Sequence, residues 1–193
     1  MKHLATLTAA GALALAGTAA SAEAQKYTLD SSHSQVLFSY THLGFSTTYN
    51  MFSGFDGEIM FDAEDPAASS VSVAMPVKSL FTGWEKRFED FMSEEFFGAT
   101  DDDMITFAST GIEVTGETTA KITGDLTIND TTKTVVLDAS LNKADVNPMS
   151  GKDWLGFDAT TEILRSDYGL GANAPFVGDA LTVMISIEAM KAE

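Results

Sequence analysis

The feature that most constrains this chain is a strict two-residue alternation from Val36 to His42. Val36, Phe38, Tyr40 and His42 project to one side, and Leu37, Ser39 and Thr41 to the other. A period of two marks a half-buried strand, since successive strand side chains point to opposite faces. The apolar face ends in an imidazole, which titrates near neutral pH. A strand built this way suits the wall of an apolar cavity with a polar mouth.

The same period recurs along the chain. Val71, Val73, Met75 and Val77 alternate with Ser72, Ala74 and Pro76, and Ile122, Gly124, Leu126 and Ile128 with Thr123, Asp125 and Thr127. Further runs carry Ile59 and Phe61; Ile105, Phe107, Ile112 and Val114; Lys133 to Leu141; Leu155 to Arg165; and Leu181 to Ile187. Turn residues separate them, and Asn129-Asp130 reads as a two-residue hairpin turn. Short strands at this spacing predict an all-β sandwich or barrel of about eight strands. Pro76 predicts a strand end or an edge position, because it has no N–H to give to a ladder.

One segment breaks the period. Trp84, Phe88, Phe91, Met92 and Phe96 fall on a helical stripe, with Lys86, Glu89, Asp90 and Glu94 on the other side. The spacing predicts one amphipathic helix of about three turns, opened by a capping box with Thr82 as N-cap and Glu85 reaching back. Its bulky stripe needs an apolar surface to cover, which the mouth or side of a barrel supplies.

Residues 1–22 read as a signal peptide. Lys2 and His3 precede an apolar run from Leu4 to Ala16, and Ala20-Ser21-Ala22 is a small-x-small cleavage site. The apolar run is interrupted by Thr6, Thr8 and Gly11 and is shorter than the ~20 residues that span a bilayer. The expectation is a secreted, periplasmic chain with a single domain over residues 23–193. There is no Cys to form disulfides, thiolate metal sites or a lipoprotein anchor. The formal charge is −17, and loss of Lys2 with the leader takes it to −18. Such a surface repels nucleic acid and anionic headgroups, so no nucleic-acid partner is expected.

Nothing in the motifs demands catalysis. There is no Gly-x-Ser-x-Gly elbow, phosphate loop or Gly-x-Gly-x-x-Gly. His33 and His42 are nine residues apart, which in an extended strand is about 30 Å, so no shared metal site is expected. His33 reads as a turn residue, while His42 is either a satisfied structural histidine or a ligand-facing one. Asp101-Asp102-Asp103 lacks the alternate ligands, central Gly and distal Glu of a calcium loop and reads as solvated. The chain is rich in aromatics, and small residues recur on inward-reading faces (Ser109, Gly124, Ala139, Ala159). An eight-stranded barrel is either filled by side chains or holds one ligand, and these small residues are consistent with a lumen left partly open.

Seven pieces in order carry a family resemblance. They are His33-Ser34 with Phe38 and His42-Leu43-Gly44-Phe45-Ser46; Phe52-Ser53-Gly54-Phe55-Asp56-Gly57; Ser93-Glu94-Glu95-Phe96-Phe97; Ile105-Thr106-Phe107-Ala108-Ser109-Thr110; Gly124-Asp125-Leu126-Thr127-Ile128; Thr132-Lys133; and Arg165-Ser166-Asp167-Tyr168-Gly169. Together they resemble the YceI-like family of secreted bacterial polyisoprenoid-binding proteins. The resemblance implies an extended, lipocalin-like, eight-stranded antiparallel barrel with a long isoprenoid in its lumen, such as a quinone or polyprenyl lipid. The chain departs from the family at Phe91-Met92, where a His and a basic residue are common, and this takes away the expected polar contact from the helix. Asp103-Met104 replaces a Tyr-Pro and Asp130 a turn Gly, both matters of loop geometry.

The reading is therefore a non-catalytic carrier or scavenger of a long isoprenoid, with no resident cofactor beyond that ligand and no stable membrane insertion. Candidate ligand-binding residues are Phe38, Tyr40, His42, Trp84, Phe88, Phe91, Met92, Phe107, Phe157 and Arg165. The alternatives are an enzyme acting on a lipid or small apolar substrate, with His42 as acid or base, and an outer-membrane barrel. Lys133 and Arg165 sit at the ends of their runs, where a charge stays solvated. With so acidic a chain, a neutral headgroup is expected in preference to a pyrophosphate.

Overall fold

The computed structural model describes residues 23–193; the expected signal peptide lies outside the described residues. Eleven strands occur among them: β1 (Gln25–Leu29), β2 (Gln35–His42), β3 (Ser46–Ser53), β4 (Asp56–Phe61), β5 (Ser70–Pro76), β6 (Leu80–Phe81), β7 (Met104–Val114), β8 (Thr119–Ile128), β9 (Thr131–Val146), β10 (Asp153–Leu164) and β11 (Ala180–Lys191). One α-helix, α1, spans Glu85–Met92.

Three pairs of these strands are single strands that have been interrupted, which reduces eleven to an eight-stranded antiparallel barrel. The first is β1 and β2, broken by a turn at residues 30–34, and both pair with β11: Tyr27 opposite Lys191 and Val36 opposite Ile185. The second is β3 and β4, broken at Gly54, whose φ of 67° lies in the left-handed region that glycine tolerates. The third is β5 and β6, broken by a 3-10 turn at Val77–Ser79 directly after Pro76. The order runs β1-β4-β5-β7-β8-β9-β10-β11 and closes through β1–β11. Beyond the interruptions β2, β3 and β6 continue the wall from β11. There β6 pairs only with β3, and the chain leaves it directly into α1. Closure is therefore by hydrogen bonds at one end and by the helical segment at the other.

The period-two reading survives in detail. Inward positions of β1, β4, β10 and β11 fill one end of the barrel with Tyr27, Leu29, Ile59, Leu155 and Ala189, all buried. The β8–β9 hairpin pairs Ile128 with Thr131 across Asn129-Asp130, as the turn residues predict, with Asn129 at φ 52°. Pro76 ends β5.

The helix departs from expectation. It has eight residues, about two turns, and Trp84 stands at its N-cap with no side-chain cap bond. Thr82 lies two residues too early for the capping box. Gly83, at φ 73°, turns the chain, so the Thr82 hydroxyl donates to the Trp84 carbonyl at 2.7 Å instead. Phe96 falls past the helix end, in a turn where the Phe96 and Gly98 amides both donate to the Ser93 carbonyl. The small residues also play another part. A side chain at Gly124 would collide with the Phe107 ring, so this glycine makes room for an aromatic. Ala139 and Ala159 pack with Leu137, and the Ser109 hydroxyl accepts the Val71 amide at 2.9 Å.

The β1–β2 corner is held by charge. Asp30 accepts from the Ser32 amide (3.0 Å) and hydroxyl (2.7 Å), and His33 Nδ1 lies 2.7 Å from its other oxygen. That hydrogen bond, with the Asp30 and Glu188 charges, raises the imidazole above its ordinary value. The contribution of this contact is thus present in full below the usual histidine range and is lost as pH rises through the raised value. We predict that Asp30→Asn returns the His33 titration, followed by NMR, towards the ordinary histidine value.

Candidate functional site

A cavity of about 720 Å³ opens at the end of the barrel where β2, β10 and α1 meet. Its length is set by the alternation. On β2 the lining residues are Val36, Phe38, Tyr40 and His42, and on β11 they are Leu181, Val183, Ile185 and Ile187. Six residues of strand between Val36 and His42 make a lumen about 20 Å deep.

The interior is apolar and aromatic. Phe38 and Phe52, from neighbouring strands, stack at 5.7 Å and 29°. Phe107 enters from β7, and Ile105, Leu126, Ile128, Val135 and Leu137 complete that side. At the mouth Tyr40 meets Phe91 of α1 at 6.4 Å, and Phe91 meets Phe96 edge-on at 5.6 Å, so the helix and the turn after it roof the cavity.

The rim is polar. Ser46, Thr48, Asp90, Ser93, Glu95 and Asn173 contribute to it alongside His42. The Asn173 amide reaches Glu95 at 3.5 Å, joining the 171–179 loop to the segment after α1. His42 is exposed, and its backbone bridges to Val177 of that loop. Apolar side chains flank the rim: Phe45, Phe176 and Leu43 are largely exposed, and the Leu43 amide donates to the Phe176 carbonyl.

Of the candidate residues, Phe38, Tyr40, His42, Trp84, Phe91, Phe107 and Arg165 line this cavity. Phe88 and Met92 lie outside its lining, packed against the core from α1. Phe157 also lies outside, beyond the floor, edge-on to Phe61 at 6.3 Å. The helix does present polar groups to the lumen, contrary to what the apolar Phe91-Met92 pair suggests. Arg87 and Asp90 both line it, with the Arg87 guanidinium 6.0 Å over the Trp84 ring and donating to the Thr82 carbonyl at 2.8 Å.

Arg165 overturns the expectation of a solvated charge. It is only 7% exposed, and its guanidinium donates to the backbone carbonyls of Gly178 (2.9 Å), Val177 (2.8 Å) and Leu170. The position is forced by the chain. Arg165 opens a 3-10 turn that ends at Gly169, φ 75°, and its side chain ties this turn to the 177–179 segment. Asp179 fastens the same junction. Its carboxyl is held below the ordinary range first by the Ser166 hydroxyl at 2.6 Å, then by the Ser166 amide and the Arg165 charge.

The two histidines stand at opposite ends of β2, as their spacing requires. Asp30, His33 and Glu188 bring their ligand-type atoms within 4.8 Å of one another at the β1–β2 corner, away from the cavity. The Glu188 carboxylate there accepts the Trp154 indole N–H at 2.7 Å. In the acidic run, Asp101 pairs with Lys78 at 2.6 Å, and Asp103 accepts the Thr100 amide and hydroxyl.

A model of the YceI-like domain matches residues 27–189. This chain belongs to that family. Among curated relatives, a UPF0312 protein of Ectopseudomonas mendocina is 36% identical over 172 residues, covering 88% of this chain and 90% of the relative. A UPF0312 protein of Pseudomonas savastanoi is 34% identical over 192 residues, 98% of this chain and 97% of the relative. Among solved structures, the Campylobacter jejuni YceI protein superposes with a TM-score of 0.72 at 26% identity, over 79% of this chain and 90% of that one. BcnA of Burkholderia cenocepacia gives 0.74 at 21% identity, over 83% and 98%. A polyisoprenoid binding domain from Saccharophagus degradans gives 0.67 at 13% identity, over 86% and 98%. The fold is that of the YceI structures.

We predict that Arg165→Ala leaves three carbonyls without their donor and lowers the unfolding free energy by about 3 kcal/mol or more, read as a shifted urea midpoint. Arg165→Lys should recover little of this, because an ammonium cannot reach three carbonyls in the plane of a fork.

Proposed function

We propose that the protein binds and carries a long-chain isoprenoid lipid, of quinone or polyprenyl type, in the barrel lumen without catalysing a reaction on it. The observation that carries this reading is the apolar cavity, about 20 Å deep by strand rise and about 720 Å³ in volume. That volume falls within the ~300–1,000 Å³ of small-molecule sites. An apolar tail removed from water contributes about 25 cal/mol per Å² before ordering costs, and the polar rim orients the head. The similarity to a domain described as polyisoprenoid-binding points the same way. With its expected leader, the protein would do this in the periplasm. Among the described residues no helix is long and apolar enough to cross a membrane.

The rim favours a neutral headgroup. Arg87 and Arg165 face Asp90 and Glu95 around the opening, so the local charges balance, and the chain as a whole carries −17. The Arg165 fork is already engaged by carbonyls, which leaves a pyrophosphate without the bidentate partner it normally meets. A quinone needs one or two hydrogen bonds, which His42, Tyr40, Ser46 or Thr48 can supply. Catalysis by His42 would need a group to orient its ring.

Competition binding at low salt tests this. A long-chain quinone should displace a polyprenyl pyrophosphate of equal tail length, and Phe91→Asp, which places a carboxylate in the roof, should weaken quinone binding by at least tenfold. The reverse preference, strengthening as salt is lowered, would contradict the neutral-head reading. A product that forms from the lipid and is lost in His42→Ala would contradict the carrier reading.

A further inference from the structure

On each strand the lining of the lumen stops at a defined residue. On β11 it ends at Ile187, and the next inward residue, Ala189, is fully buried against the core. On β10 it ends at Thr161, and the inward residues below, Ala159, Phe157 and Leu155, belong to packed clusters. There Phe61 stands at the centre of an aromatic stack, edge-on to Tyr27 at 6.2 Å and to Phe157 at 6.3 Å. Tyr27 and Phe61 come from the paired strands β1 and β4, and Phe157 from β10, which only β11 separates from β1.

We infer that this aromatic plug sets the length of tail the lumen accepts, at four to five isoprene units. The inference rests on the isoprenoid reading above and adds a chain-length limit to it. An isoprene unit adds four carbon–carbon bonds, about 5 Å when extended given bonds of ~1.5 Å, so a lumen of about 20 Å holds about four units. A cavity of about 720 Å³, inside the ~300–1,000 Å³ of small-molecule sites, is in keeping with a tail of that size. With the headgroup at the rim, units beyond the fifth find no apolar wall below and must double back or stay outside. Phe157 is then a specificity-determining residue although it touches no part of the present cavity, because removing its ring extends the lumen towards Phe61.

The test is competition binding of benzoquinones bearing two, four, five and eight isoprene units against one labelled four-unit quinone, with the full mature chain. In the unsubstituted protein, affinity should rise more than tenfold from two to four units and change less than about twofold from five to eight. Phe157→Ala, checked for a folded far-ultraviolet spectrum, should move the plateau to longer tails. Val71→Phe, which adds a ring at the floor, should move it to shorter ones. Affinity that keeps climbing to eight units in the unsubstituted protein would overturn the limit, as would plateaus that stay put in both folded variants. If quinones of every length fail to bind, the isoprenoid reading itself falls and the ruler with it.

Discussion

The site depends on how one strand, β11, is shared. Its C-terminal end bonds to β1 and its N-terminal part to β2, with Ser186 opposite Gln35 and Ala189 opposite Leu29. Between these partners the chain makes the Asp30–His33 corner, and the breaks at Gly54 and Val77–Ser79 fall on the next two strands along the wall. One half of the barrel is thereby closed by a continuous ladder and filled by large side chains. In the other half the ladder ends at the two-residue strand β6, and a helix takes over the closure. Replacing a strand by a roof of Trp84, Phe91 and Phe96 leaves the inward faces of β2, β11 and β7 lining a space rather than packing on one another.

That division explains the distribution of polar groups. The closed end is packed by Tyr27, Ile59, Leu155 and Ala189, and its polar contacts stand at the Asp30–His33 corner. The open end must satisfy the backbone of a loop, 171–179, that has no ladder of its own. Arg165 supplies three donors to that region from one side chain, and Asp179 takes the Ser166 amide and hydroxyl. A buried guanidinium costs desolvation, and the carbonyl dipoles around it offset that cost. The rim is thus tied down at Arg165 and Asp179 and polar at His42, Glu95 and Asn173, while Phe45 and Phe176 stay exposed beside the opening.

Much of this was legible in the residues. The alternation from Val36 to His42 names four lining positions correctly, because period two leaves no freedom about which side chains share a face once one faces inward. The 181–187 run predicts the opposite wall for the same reason. Legibility fails where the chain leaves regular structure. The stripe through Trp84, Phe88, Phe91, Met92 and Phe96 has helical spacing, yet Gly83 and the Ser93 turn trim the helix at both ends, so Phe88 and Met92 become core contacts rather than lining. Phe157 has the right parity but the wrong depth, since alternation fixes a face and not a level. Arg165 was misjudged because the three carbonyls that bury it belong to a loop with no periodic signal, and the Asn173–Glu95 contact was hidden for the same reason.

The central claim is that the lumen is occupied by a neutral isoprenoid in the protein as the cell makes it. Native mass spectrometry of the protein purified without detergent from its own cells, followed by organic extraction of the same sample, tests it most directly. The account predicts a one-to-one complex whose extracted ligand is an uncharged prenylated molecule. Extraction of a phosphorylated lipid, or of a fatty acid with no isoprenoid, would contradict it.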